Sequence, residues 1–129
     1  PGPTLYENLK MHAISRLMLK GWIKNIQVSW VKLGPELAQV ILNCGANDFG
    51  GTLMNESISR SAGAEWGQEV MPREMTGIIR GAGRIPAQRS TLYKTIAVYK
   101  DHDPVEDKPL VTRKGPSKAY QLASRSWIT

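Results

Sequence analysis

The stretch GANDFGGTLMNESIS, beginning at Gly45, sets Asn47, Asp48, Gly50, Gly51, Thr52 and Glu56 where the flanking pattern calls for a buried strand. An amide beside a carboxylate can grip a polar substrate, because together they offer both donors and acceptors. Glycines inside a strand let a ligand or a neighbouring backbone come close. Thr52 and Glu56 add polar groups at the mouth of the same segment. Upstream, Gln27 and Ser29 fall on the polar side of an alternating run. A plainer reading stays open: GAND as a helix cap and turn, the glycines as a bend, and Glu56 as a carboxylate at a helix N-terminus.

The residues present exclude several other chemistries. No Gly-Lys-Ser/Thr occurs, so there is no phosphate-binding loop of that type, and the glycines of GIIRGAG sit inside a helical pattern. The two histidines, His12 and His102, lack any spacing for zinc, and no metal site is expected. The single cysteine, Cys44, can form neither an intrachain disulfide nor a cysteine cluster; it reads as a small buried residue, and a reducing cytoplasmic setting is the default. The net charge of +6 invites a nucleic-acid reading. The basic residues are scattered, however, from Lys20, Lys24 and Lys32 to Arg80, Arg84 and Arg89 and on to the tail. That distribution is a solvated surface, so no nucleic acid is expected as a partner. Nor is a membrane, because no apolar run is long enough to span one.

The elements that must position the polar stretch can be read from hydrophobic period and punctuation. At 129 residues the chain fits one ordinary domain. TLYENLKMHAISRLMLKG predicts an amphipathic helix, with Thr4 and Glu7 at capping-box spacing and Leu5, Leu9, Ala13 and Leu17 as its stripe, widened by Ile14 and Met18. NIQVSWVK alternates as a strand does: Ile26, Val28 and Trp30 face one way, and Gln27, Ser29 and Val31 the other. GPELAQVILNCG predicts a helix opened by Pro35 and closed by Gly45, with Leu37, Val40, Ile41 and Cys44 forming its face. After the polar strand and a long connection to Met71, MPREMTGIIRGAGR predicts a helix carrying Met75, Ile78 and Ile79. IPAQRSTLYKTIAVY is a further extended segment.

This alternation of helix and strand is the signature of parallel βα units. The expected fold class is α/β: a partial TIM-like (β/α) barrel of about three parallel strands with helices, plus a C-terminal appendage. Residues 1–100 form the βα units and residues 101–129 a charged linker and the appendage. In such folds sites gather at the carboxyl ends of strands, which directs attention to Gln27, Ser29 and the Asn47–Glu56 stretch. Arg84, Gln88 and Arg89 bracket the start of the last strand; Arg84 suits a structural ion pair and Arg89 a substrate contact.

The wording of NIQVSWVKLGPELAQVILNCGANDFGGTLMNESISRSAGA and MPREMTGIIRGAGRIPAQRSTLY resembles the C-terminal part of the radical SAM subunit of FO synthase, the family that builds the deazaflavin chromophore. The similarity runs from the first helix to the last strand, and the tail AYQLASRSW is similar to the family's ending. The resemblance implies a triose-isomerase-like barrel holding a 4Fe-4S cluster and S-adenosylmethionine. It also implies tyrosine and 5-amino-6-(D-ribitylamino)uracil as substrates, with a tyrosine-derived fragment transferred to the latter. Under it, these residues are candidates to bind substrate or S-adenosylmethionine: Gln27 and Ser29 face the barrel interior near either one, Asn47 and Asp48 contact a polar substrate, Gly50 and Gly51 admit it, and Thr52, Glu56 and Arg89 flank it. Whether the carboxylates take the tyrosine ammonium or the ribityl hydroxyls stays open.

Two departures qualify the resemblance. The family's three cluster cysteines, in a C-x3-C-x2-C motif, have no counterpart beside the lone Cys44. The family pattern also has a histidine after AGA, where Glu65 and Trp66 stand here. The expectation is therefore a C-terminal portion, inactive alone, whose N-terminal barrel half lies elsewhere in a longer chain or in a partner. The alternatives are a fragment of a futalosine-pathway radical SAM enzyme and a non-catalytic basic binding module.

Overall fold

The computed structural model describes residues 2–52, 70–100 and 105, and the backbone of 126–128. Helix α1 spans Leu5–Met18 and starts with the expected capping box. The Glu7 amide donates to Thr4 Oγ1 at 3.3 Å, and the Thr4 amide donates to Glu7 Oε2 at 2.7 Å. No residue of α1 is fully buried. Leu9 packs against the core, while Leu5, Ile14, Leu17 and Met18 of the expected stripe are exposed among the described residues.

The run from Asn25 is shorter as a strand than its alternation predicts. It makes one parallel bridge, Gln27 to Asp48, with the Val28 amide donating to the Asp48 carbonyl at 2.8 Å. At Trp30 the chain turns into the short helix α2, Trp30–Leu33. The physical reason is burial. Trp30 is only 2 % exposed and still satisfies its indole, whose Nε1 donates to the Gly51 carbonyl at 3.1 Å.

Helix α3, Pro35–Leu42, begins with proline at its first turn, after Gly34 in the positive-φ region. Its buried residues are Ala38, Ile41 and Leu42, so the packed face is rotated from the expected one, and Val40 is half exposed. Strand β1, Asp48–Gly51, follows the turn at Gly45. Helix α4, Pro72–Gly81, buries Met75, Thr76 and Ile79 and packs on α3. The segment from Ile85, expected as one extended stretch, is a hairpin of β2, Ala87–Arg89, and β3, Thr95–Val98. The hairpin turn is closed by Ser90 N–H to the Lys94 carbonyl at 2.8 Å and carries Tyr93 at φ 59°. Strand β4, Ser126–Ile128, comes from the tail.

The sheet order is β1-β4-β2-β3, every pair antiparallel. Because β1 and β2 both run against β4, they run in the same direction as each other, and Gln27 bridges β1 in parallel. Three segments expected as strands thus share one direction, and β4 lies between the second and third. The core gathers Val28, Trp30, Ile41, Leu42, Met75 and Ile79 around Phe49, the only phenylalanine, which is fully buried.

Candidate functional site

The polar residues of GAND divide between two clusters. Asn47 belongs to the first, which holds α1 in place. Arg16 on α1 donates from Nη2 to Asn47 Oδ1 at 2.8 Å, from Nε to the Gly45 carbonyl at 2.8 Å and from Nη1 to the Lys24 carbonyl at 2.9 Å. The same Asn47 oxygen accepts from the Ile26 amide at 2.8 Å, and its Nδ2 donates to Asn25 Oδ1 at 3.1 Å. A planar guanidinium with donors fixed in a fork suits three acceptors from two chain segments, Lys24 and Gly45–Asn47. The approach is close: a Cβ on Gly45 would lie 2.6 Å from the His12 carbonyl oxygen.

The second cluster centres on Asp48, which is fully buried. Its Oδ2 accepts from Arg89 Nη2 at 2.6 Å, and its Oδ1 accepts from the Gly50 amide at 2.9 Å. Arg89 is 5 % exposed. Its Nη1 donates to the Ser90 carbonyl at 3.1 Å, and its guanidinium lies 4.1 Å from the centre of the Tyr93 ring. Arg89 Nε is buried without a hydrogen-bond partner. A buried carboxylate and guanidinium survive desolvation only when paired and hydrogen-bonded, and this pair is both.

Gln27 is exposed and extends its amide over Gly50, whose φ is +86° and whose added Cβ would lie 3.0 Å from Gln27 Nε2. Ser29, Gly51 and Thr52 are half-buried, with the Gly51 carbonyl taken by Trp30. Glu56 lies outside the described residues, as does the connection that carries Glu65 and Trp66. On β2, Gln88 Oε1 accepts from the Tyr99 hydroxyl at 3.3 Å. Arg84, expected in an ion pair, instead donates to the Leu42 carbonyl at 3.2 Å and Asn43 Oδ1 at 3.3 Å at the end of α3.

The structure therefore brings Gln27, Asp48, Gly50 and Arg89 together, and sets Asn47 in the α1 cluster. Two contributors were not legible in the sequence. Arg16 reads only as a basic residue in the last turn of a helix, and Tyr93 has neither glycine nor asparagine chemistry to announce its left-handed backbone. Among the described residues no three His, Cys, Asp or Glu side chains form a group able to hold a metal. One cysteine does not fit a three-cysteine cluster ligand set. No helix among the described residues is long and apolar enough to cross a membrane.

A sheet backed by helices carries a buried, paired polar centre, and the family follows from the sequence over α1 to β3. Residues 3–102 match the model described as the CofH/MqnC C-terminal region, and the chain belongs to that family. Two relatives are named 5-amino-6-(D-ribitylamino)uracil–L-tyrosine 4-hydroxyphenyl transferase: one from Methanocaldococcus jannaschii, 57 % identical over 95 residues, and one from Methanothermobacter thermautotrophicus, 57 % identical over 96 residues. Each alignment covers 74 % of this chain and 26 % of the relative. A third, transferase 1 of the same name from Methanosarcina barkeri, is 53 % identical over 98 residues, covering 76 % of this chain and 26 % of the relative. The chain thus spans about a quarter of the length of these curated relatives. No solved structure matches it.

Proposed function

We propose that this chain is the C-terminal portion of a radical SAM transferase that joins the tyrosine-derived 4-hydroxybenzyl group to 5-amino-6-(D-ribitylamino)uracil in deazaflavin biosynthesis. The observation that carries the reading is the 53–57 % identity, over 95–98 residues, to relatives named for that pair of substrates. In this reading Gln27, β1 and β2, which share one direction, are strands of a partial (β/α) barrel whose remaining strands come from the rest of the enzyme.

The cysteines that would hold a 4Fe-4S cluster, which with S-adenosylmethionine would supply the radical, belong to that remainder, since this chain has only Cys44. This chain's part is to form one wall. The exposed Gln27 amide offers a donor and an acceptor to an amide-like or hydroxylated substrate, and Gly50 keeps space beside it free of a side chain. The Asp48–Arg89 pair is electrically balanced and closed off from water, so it fixes the backbone of both strands without drawing charge to the site. Ser29 and Thr52 supply hydroxyls at the rim.

The test is anaerobic turnover by the full-length enzyme with a reconstituted cluster, both substrates and a reductant, with chromatographic detection of the coupled product. Product that requires both tyrosine and the ribitylaminouracil is expected. Turnover of a futalosine-type precursor in place of that pair would replace this reading with the sibling chemistry.

A further inference from the structure

The strand from the tail is built into the sheet that carries the site, although it lies beyond the residues matched by the family model, which end at 102. Strand β4 pairs with both β1 and β2, with Asp48 opposite Ile128, Gly50 opposite Trp127 and Gly51 opposite Ser126. On its other side Ala87 faces Ile128, Gln88 faces Trp127 and Arg89 faces Ser126. The two ends of the buried ion pair therefore sit on strands that are not neighbours. Next-nearest strands lie roughly 9–10 Å apart. A long arginine reaching toward a short aspartate spans that gap, at 2.6 Å from Nη2 to Oδ2.

We infer that β4 is a positioning element for the site: by pairing with β1 and β2 it sets the spacing and stagger at which Arg89 meets Asp48, and so where Gly50 and Gln27 stand. The ladder supplies the precision, because a strand hydrogen-bonded on both sides cannot slip by one residue without reversing its faces. The bulge between Asp48 and Gly50 is part of the same device. It lets the Gly50 amide turn to Asp48 Oδ1 while Gly50 still pairs with Trp127. The inference deepens the transferase reading and rests on it for its kinetic arm, but its structural arm stands apart.

The experiment uses the full-length enzyme and compares Trp127→Pro, which cannot remain in a doubly paired strand, with Trp127→Val, which can. Hydrogen exchange read by mass spectrometry follows residues 48–51 and 87–89, and steady-state kinetics follows each substrate. The expected result for Trp127→Pro is loss of protection in both segments at once and a rise of at least tenfold in KM for one substrate, with α3 and α4 still protected. Trp127→Val should stay within about threefold of the parent on both readouts. A peptide spanning residues 124–129, added at millimolar concentration, should restore protection and KM to Trp127→Pro by strand addition. Unchanged protection of residues 48–51 and 87–89 in Trp127→Pro overturns the inference, as does equal damage in Trp127→Val. A parent enzyme that makes no coupled product, yet loses protection in Trp127→Pro, overturns the transferase reading alone.

Discussion

Asp48 and Arg89 are 41 residues apart in sequence and meet at 2.6 Å, both buried, on two strands separated by a third. Removing one partner of such a pair leaves an unpaired charge in a dry place. Asp48→Ala or Arg89→Ala alone should each cost about 3–5 kcal/mol. The double variant should cost clearly less than the two single losses added together. Urea denaturation of all four proteins measures this, and additive losses would mean the pair is not coupled.

Gly45 tests how closely α1 approaches the turn before β1. Its φ is +118°, and an added Cβ meets both the His12 carbonyl and the Arg16 side chain. Gly83 is also at positive φ, +72°, but has open space around it. Gly83→Ala should therefore cost only the backbone strain, about 1–2 kcal/mol. Gly45→Ala should cost more than that, since backbone must also shift. Denaturation midpoints for the two variants, side by side, decide the point.

Arg16 is the polar tie of a helix that buries no residue of its own. Arg16→Ala should raise amide exchange across residues 5–18 while α3 and α4 keep their protection. Arg16→Lys should rescue little, because an ammonium cannot reproduce three donations from one planar fork.

Glu7 carries the pH dependence of α1. The hydrogen bond from the Thr4 backbone, then that from the Thr4 hydroxyl, holds its carboxyl below the usual glutamate value. A carboxylate whose value falls on folding stabilises the folded form above its unfolded value, and the contribution is lost as pH falls through the folded one. Circular dichroism should report loss of helix in that acid window. Glu7→Gln, which keeps a capping-box acceptor without the charge, should flatten the acid transition. The group is fully exposed, so added salt should weaken the effect.

Phe49 fills the centre of the core with no exposure. Phe49→Ala should lower stability by about 3–5 kcal/mol, as a large buried ring leaves a cavity that helices on one side and a sheet on the other close only in part. A loss under 1 kcal/mol by denaturation would show that the core collapses around the gap.

Local features of the fold were legible in the sequence because they depend on neighbours a few residues apart. Thr4 and Glu7 form their capping box, Pro35 and Pro72 open their helices, and Val28, Trp30, Met75 and Ile79 lie in the core. Elsewhere tertiary burial overrode hydrophobic period. Alternation through Val31 gives way to a helical turn because Trp30 finds a buried place with its N–H satisfied. The single extended segment after Ile85 folds on itself because Tyr93 accepts a left-handed backbone that no glycine announces. The apolar stripe of α1 is correct in period, yet Leu5, Leu17 and Met18 remain exposed among the described residues.

For the candidate site, the sequence by itself determined which polar residues occupy a strand that should be apolar, and which family's wording they share. Only the tertiary structure decided their company: Asn47 with Arg16, Asp48 with Arg89, and Gln27 over Gly50. Residue type and short-range spacing are written along the chain, but pairings across 31 or 41 positions follow from strand order. That order places β4 between β1 and β2, and no local propensity encodes which strand a tail will join.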